Sequence, residues 1–176
     1  MLLAIASVTR SSELKILDTK YMAQETDKVV FYLNRAPKNH NKLGKLPNPL
    51  IFNAFEDTTL CPVASVREYI ARTKTLRDTT VDTQFFLATI KPHRGTTGAT
   101  IGTWLKAILE RVRLDTAIFN GHSTRAASTS SVRGKGASIA DIIKTGNWSN
   151  SSTWQKFYNR NIVTHRDGYQ KVLLGT

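Results

Sequence analysis

Apolar residues in this chain fall into short runs, and the period of each run decides which element it can form. Residues 1–9 are almost continuously apolar, which predicts the end of a buried helix whose preceding part is missing. Lys28–Asn34 is rich in β-branched and aromatic residues and predicts a strand, and Leu50–Phe52 predicts a short second one. Between them, Arg35–Pro49 has the composition of a loop, with Lys38, Lys42, Lys45, Gly44 and a Pro-Asn-Pro run. Pro62 opens a helix predicted through Arg72, with Val63, Val66, Tyr69 and Ile70 spaced to face a core. Thr73–Asp82 is expected to be a polar loop, and Gln84–Thr89 a strand or an extended buried segment.

The clearest amphipathic pattern covers Thr100–Val112. Ile101, Leu105, Ile108, Leu109 and Val112 share one face, while Lys106, Glu110 and Arg111 lie elsewhere. A further helix carries Gly121 to Ser131 and ends at Gly134–Gly136. Ser138 and Asp141 form a start signal for a helix through Lys144, which Gly146 stops. Thr153–Asn159 is predicted to be a short helix anchored by Trp154 and Phe157. No internal repeat, low-complexity stretch or linker appears, so the 176 residues are expected to form one domain, with 161–176 as a tail.

Charge narrows the choice of partner. Lys and Arg number 25 against 13 Asp and Glu, a net charge of +12, which favours a polyanion and above all nucleic acid. No basic amphipathic helix stands out, so a membrane surface is disfavoured, and no apolar run approaches the roughly 20 residues of a membrane span. The apolar start lacks the positive flank of a signal peptide. Cys61 is the single cysteine, so no intramolecular disulfide can form, which fits a reducing, intracellular compartment. It precedes Pro62 at a helix start and reads as structural. No His, Cys and Asp cluster has the spacing of metal ligands, and no cofactor or metal is expected.

The chemistry concentrates between Gly121 and Arg160. His122 and Arg125 are three residues apart, which on a helix puts both side chains on one face. Trp148 and Tyr158 follow, Tyr158 lying 33 residues after Arg125. Histidine, arginine and tyrosine together suit attack on a phosphodiester: a nucleophile, a guanidinium for phosphate oxygens and a proton carrier. Arg10 and Glu13, also three apart, can pair on a helical turn, and read as a surface ion pair they would contribute well under about 1 kcal/mol. His93 sits in the polar loop Lys91–Gly98 and is expected at the surface.

The stretches Gly-His-Ser-Thr-Arg-Ala-Ala-Ser-Thr-Ser and Trp-Ser-Asn-Ser-Ser-Thr-Trp-Gln-Lys-Phe-Tyr resemble the catalytic domain of tyrosine recombinases (the phage-integrase family). Their wording is similar to recombinases of DIRS- and Crypton-type mobile elements. The resemblance implies an α+β, mostly helical fold with a small antiparallel β-hairpin. It implies that Arg10, Glu13, Lys38, His122, Arg125, Trp148 and Tyr158 are catalytic, with Tyr158 forming a 3′-phosphotyrosine link to DNA. Lys38 is the first choice for the hairpin lysine that protonates the leaving oxygen, with Lys42 or Lys45 as alternatives. Otherwise Lys42 and Lys45, with Lys91 and Arg94, would contact DNA phosphates. Trp148 stands ten residues before Tyr158, one further than the family spacing, which a one-residue insertion at Ser149–Ser152 would absorb. The implied partners are double-stranded DNA and further copies of the chain, and the implied compartment is the nucleus for a eukaryotic mobile element. The separate N-terminal DNA-clamping domain of the family is not in this sequence. Two other readings stay open: a non-catalytic DNA-binding remnant of a mobile element, and a nicking enzyme similar to type IB topoisomerases.

Overall fold

The apolar N-terminal run folds as helix α1 (Leu2–Ser7), and a tight turn leads into the one-turn helix α2 (Ser11–Leu14). The computed structural model describes residues 1–35, 47–146, 148 and 150–160. Within the chain two compact units form, Met1–Arg125 and Ala126–Thr176. At the end of α1 Ser7 Oγ donates back to Leu3 O at 2.6 Å, and across the following turn it lies 2.6 Å from Thr9 Oγ1. Val8 there has φ 55° and ψ 26°, a left-handed conformation that a β-branched residue adopts only under constraint.

In the first unit three strands form one antiparallel sheet in sequence order: β1 (Met22–Gln24), β2 (Lys28–Phe31) and β3 (Leu50–Asn53). Val30 is flanked by Ala23 on one side and Ile51 on the other. β1 is too short to show a period of its own. It exists because β2 offers it an edge, and Tyr32 N extends the pairing by donating to Tyr21 O at 2.8 Å.

Phe31 is fully buried and meets Phe52 and Phe85 edge-on, at centroid distances of 6.1 and 5.1 Å. Leu14, Leu17, Val63, Val66 and Ile101 close the core around them. Each such side chain contributes about 1.5–3 kcal/mol by leaving water. Gln84–Thr89 is the extended buried segment expected, with Phe85 and Leu87 inside and bridges joining Asp18 to Gln84 and Leu87 to Gly95.

Helix α3 runs Pro62–Arg77, more than a turn beyond the predicted stop at Arg72. Tertiary bonds draw the extra turn into the helix. Thr73 is buried and donates to Tyr69 O, while Arg77 donates to Thr73 Oγ1 and to the carbonyls of Gln84 and Phe85. At its start Cys61 is the N-cap: its sulfur accepts from the amides of Ala64 and Phe55, both at 3.4 Å, and these two donors hold the thiol pKa below its usual value.

Helix α4 (Gly98–Arg111) buries Ile101, Leu105 and Leu109, but Val112 ends up exposed, because the chain has already left the helix at that point. The exit is a complete Schellman turn: Arg113 N donates to Glu110 O and Leu114 N to Leu109 O, with Arg113 at φ 60°.

The second unit comprises the later turns of α5 (Gly121–Gly134), then α6 (Ile139–Thr145) and α7 (Ser151–Phe157). α5 ends in the same Schellman pattern, here with Gly136 at φ 94° in the left-handed position. Ser138 caps α6 by accepting from Asp141 N, and Asn150 caps α7 by accepting from Thr153 N. Trp154 anchors α7 as expected, only 1% exposed. Phe157 does not, since its position on the helix leaves it outside, 55% exposed.

A candidate phosphate-binding active site

The first unit gathers four of the residues singled out above. Arg10 sits just ahead of α2, in extended conformation. Its amide donates to Glu13 Oε2 at 2.7 Å and its Nη1 to Glu13 Oε1 at 2.8 Å, so one carboxylate holds both ends of the residue. On its other side Glu13 Oε2 lies 3.7 Å from Arg125 Nη1. Arg125 is 1% exposed, among the most buried large side chains in the chain. The pair Arg10 and Glu13 is therefore more than a surface contact: a buried acid joins two guanidinium groups from segments far apart in sequence.

Local structure explains why they meet. α2 packs against the first turns of α4. The approach is close at Gly98, where a Cβ would lie 3.1 Å from Ser12 Cα, tight enough that the backbone of α2 would have to move by a few tenths of an ångström. At the start of α5, Asn120 Oδ1 accepts from the amides of His122 and Ser123, and Ser123 Oγ accepts from Asn120 N. This reciprocal cap sets the first turn, so that His122 stays exposed while Arg125 turns inward.

Thr9, Arg10, Ser11, Gly102, Gly121, His122 and Arg125 line a pocket of about 160 Å³. Two guanidinium groups and an imidazole line it, and both arginines contact the carboxylate of Glu13. Net positive charge with planar forks of donors suits a tetrahedral anion such as a phosphate.

The second unit brings Trp148 and Tyr158 together. Their ring centroids are 5.0 Å apart at an interplanar angle of 58°. Trp148 is nearly buried and its ring lies against Gly146, where any Cβ would overlap the indole. Tyr158 is the C-cap of α7, so it follows the helix rather than standing within it. Ser130 of α5 fixes its backbone: Ser130 Oγ donates to Tyr158 O at 3.0 Å and accepts from Arg160 N at 2.8 Å.

Lys38, Lys42 and Lys45 lie outside the described residues. Lys91 and Arg94 are exposed on a loop pinned by Ala88 N to Arg94 O and Thr96 N to Phe86 O. His93 in that loop is buried, 8% exposed, contrary to its expected surface position. Its Nδ1 lies 3.1 Å from Ala88 O, a contact that turns the ring inward. Thr9, Ser11, Gly102 and Ser130 were not foreseen. Small hydroxyl residues and glycine carry no pattern of their own, and only their neighbours in space give them a place.

No protein-family model matches the chain, and no curated protein matches it. Among solved structures, it is similar to XerA recombinase (TM-score 0.68, 16% identity), with 96% of this chain and 55% of that one covered. It is similar to XerH site-specific recombinase bound to a palindromic difH substrate in a post-cleavage complex (TM-score 0.64, 13% identity, 98% of this chain and 44% of that one). It is also similar to the Tn1549 transposon integrase in complex with transposon right-end DNA (TM-score 0.61, 13% identity, 99% and 57%). The chain thus spans about half the length of the structures it matches. The architecture, mostly helical with a small three-stranded antiparallel sheet, is the tyrosine recombinase catalytic-domain fold.

Proposed function

We propose that this chain is the catalytic part of a site-specific DNA recombinase or integrase of mobile-element type. The observation that carries the reading is the cluster of half-buried Arg10 with buried Glu13 and Arg125 beside His122, at one anion-sized pocket, on a recombinase fold.

In this reading duplex DNA is the substrate and several copies of the chain assemble on it, inside the cell and in the nucleus for a eukaryotic element. Arg10 and Arg125 clamp the non-bridging oxygens of the scissile phosphate, and Glu13 orients both. Negative charge grows on those oxygens as the phosphorus becomes pentacoordinate, so fixed guanidinium groups bind the transition state better than the ground state. The hydroxyl of Tyr158 loses its proton, with His122 assisting, and the oxygen forms a bond to phosphorus. The bond from phosphorus to the 5′-oxygen breaks, and Lys38 supplies the proton to that oxygen. Trp148 donates its indole N–H to the same phosphate. The product is a 3′-phosphotyrosine and a free 5′-hydroxyl. Attack by another strand's 5′-hydroxyl reverses the chemistry and joins new strands without ATP, since the energy of the broken ester is retained.

The test is a covalent adduct. Duplexes carrying a 5′-phosphorothiolate, whose thiolate leaves without a proton and cannot re-attack readily, are incubated with wild-type protein and Tyr158→Phe and run on a denaturing gel. The expected result is an adduct with wild type that is absent in the variant. Salt-sensitive DNA binding without any adduct would remove the enzymatic reading in favour of a DNA-binding remnant.

A further inference from the structure

Two hydroxyls and a guanidinium line the pocket from a run of consecutive residues, Thr9, Arg10 and Ser11, and the two hydroxyls are not equivalent. Ser7 Oγ carries one hydrogen, and it is donated to Leu3 O at 2.6 Å. In the 2.6 Å contact between Ser7 Oγ and Thr9 Oγ1 the donor must then be Thr9. Thr9 has spent its hydrogen and presents only lone pairs, which an anion avoids. Ser11 differs. Its Oγ makes no hydrogen bond to any described residue, it is half-buried, and it faces the space left open by Gly102, where a Cβ would lie 3.7 Å from it.

We propose that Ser11 is a further phosphate ligand of this pocket, donating its hydroxyl hydrogen to a non-bridging oxygen held by Arg10 and Arg125. The proposal rests on the reading of the pocket as a phosphate site and adds a neutral donor to it. A hydroxyl serves where a third cation would not: Glu13 already balances part of the charge of two arginines, and a short rigid side chain loses little freedom on binding. α2 fixes Ser11 in place, because Lys15 N donates to Ser11 O at 3.1 Å and the helix is seated on Gly98. The geometry of the oxygen follows from the same backbone turn that positions Arg10.

The experiment titrates the full chain with inorganic phosphate at constant ionic strength, read by calorimetry or ³¹P line broadening. Wild type, Ser11→Ala and Ser11→Thr are compared, with circular dichroism confirming equal helicity. A hydrogen bond to a charged acceptor is worth about tenfold or more in binding, so Ser11→Ala is expected to weaken phosphate at least about tenfold. Ser11→Thr keeps the hydroxyl and is expected to stay within about threefold of wild type. Equal affinity in Ser11→Ala, a Ser11→Thr as weak as Ser11→Ala, or no phosphate binding by wild type would each overturn the proposal. The adduct assay on the same proteins separates the two readings. An adduct with phosphate affinity indifferent to Ser11 keeps strand cleavage and removes this ligand. Affinity lost in Ser11→Ala with no wild-type adduct keeps the ligand and removes strand cleavage.

Discussion

Replacing Glu13 with Gln tests whether one carboxylate holds the site together. The substitution keeps the shape and the acceptor for Arg10 N but removes the charge. At 2.8 Å from Arg10 Nη1 and 3.7 Å from Arg125 Nη1, an effective dielectric of about 20 makes these attractions about 6 and about 4 kcal/mol. Glu13 gives back much of this, because its side chain is 11% exposed and its own desolvation costs several kcal/mol. What remains is the difference seen when one member of a buried pair is removed, here about 2–4 kcal/mol, since Arg125 at 1% exposure keeps its charge out of water. Urea unfolding followed by circular dichroism measures it. With an unchanged slope of about 1–3 kcal/mol per molar, the midpoint should fall by roughly 1–2 M. The loss should be nearly the same in low and high salt, since mobile ions screen a buried pair poorly. Adding Arg10→Gln in a double-mutant cycle should reveal a coupling of about 1 kcal/mol or more. A loss below about 0.5 kcal/mol, or one that disappears in high salt, would refute the role assigned to Glu13.

Other outcomes follow from single elements. The two Schellman turns make opposite predictions: Arg113→Gly should stabilise by about 1 kcal/mol, because a non-glycine residue at φ 60° is strained, and Gly136→Ala at φ 94° should cost about 1 kcal/mol, both read as midpoint shifts in urea. Cys61→Ala should cost about 1 kcal/mol by leaving the amide of Ala64 without its cap, whereas Cys61→Ser, a preferred N-cap residue, should retain most of the stability. In thermal unfolding the order should be wild type and Ser together, with Ala lowest; equal values for Ala and Ser would show that the sulfur does not cap the helix.

Helix boundaries divide according to where their energy comes from. Thr97, Ser138 and Asn150 cap their helices through side chains within three residues, so the starts of α4, α6 and α7 were legible or nearly so. The extension of α3 to Arg77 depends on carbonyls of Gln84 and Phe85, which no window around Arg72 contains. β1 was invisible for the same reason: three residues have no period, and their pairing partner lies across a turn. The burial of His93 reverses a preference for exposed histidine because a single carbonyl, Ala88 O, is within reach.

By itself the sequence determined the basic charge, the order of the longer helices and of strands β2 and β3, and the residue types able to attack and hold a phosphodiester. These follow from composition and from spacing within a few residues, which local backbone geometry converts directly into a face of a helix. Only the tertiary structure decided that Glu13 sits between Arg10 and Arg125, that Ser130 holds the backbone of Tyr158, and that Ser11 rather than Thr9 has a hydrogen to offer. A hydrogen bond or a buried charge is an interaction across space, over 112 residues between Glu13 and Arg125, and its strength depends on the dielectric of the surroundings. No pattern along the chain encodes that environment until packing creates it.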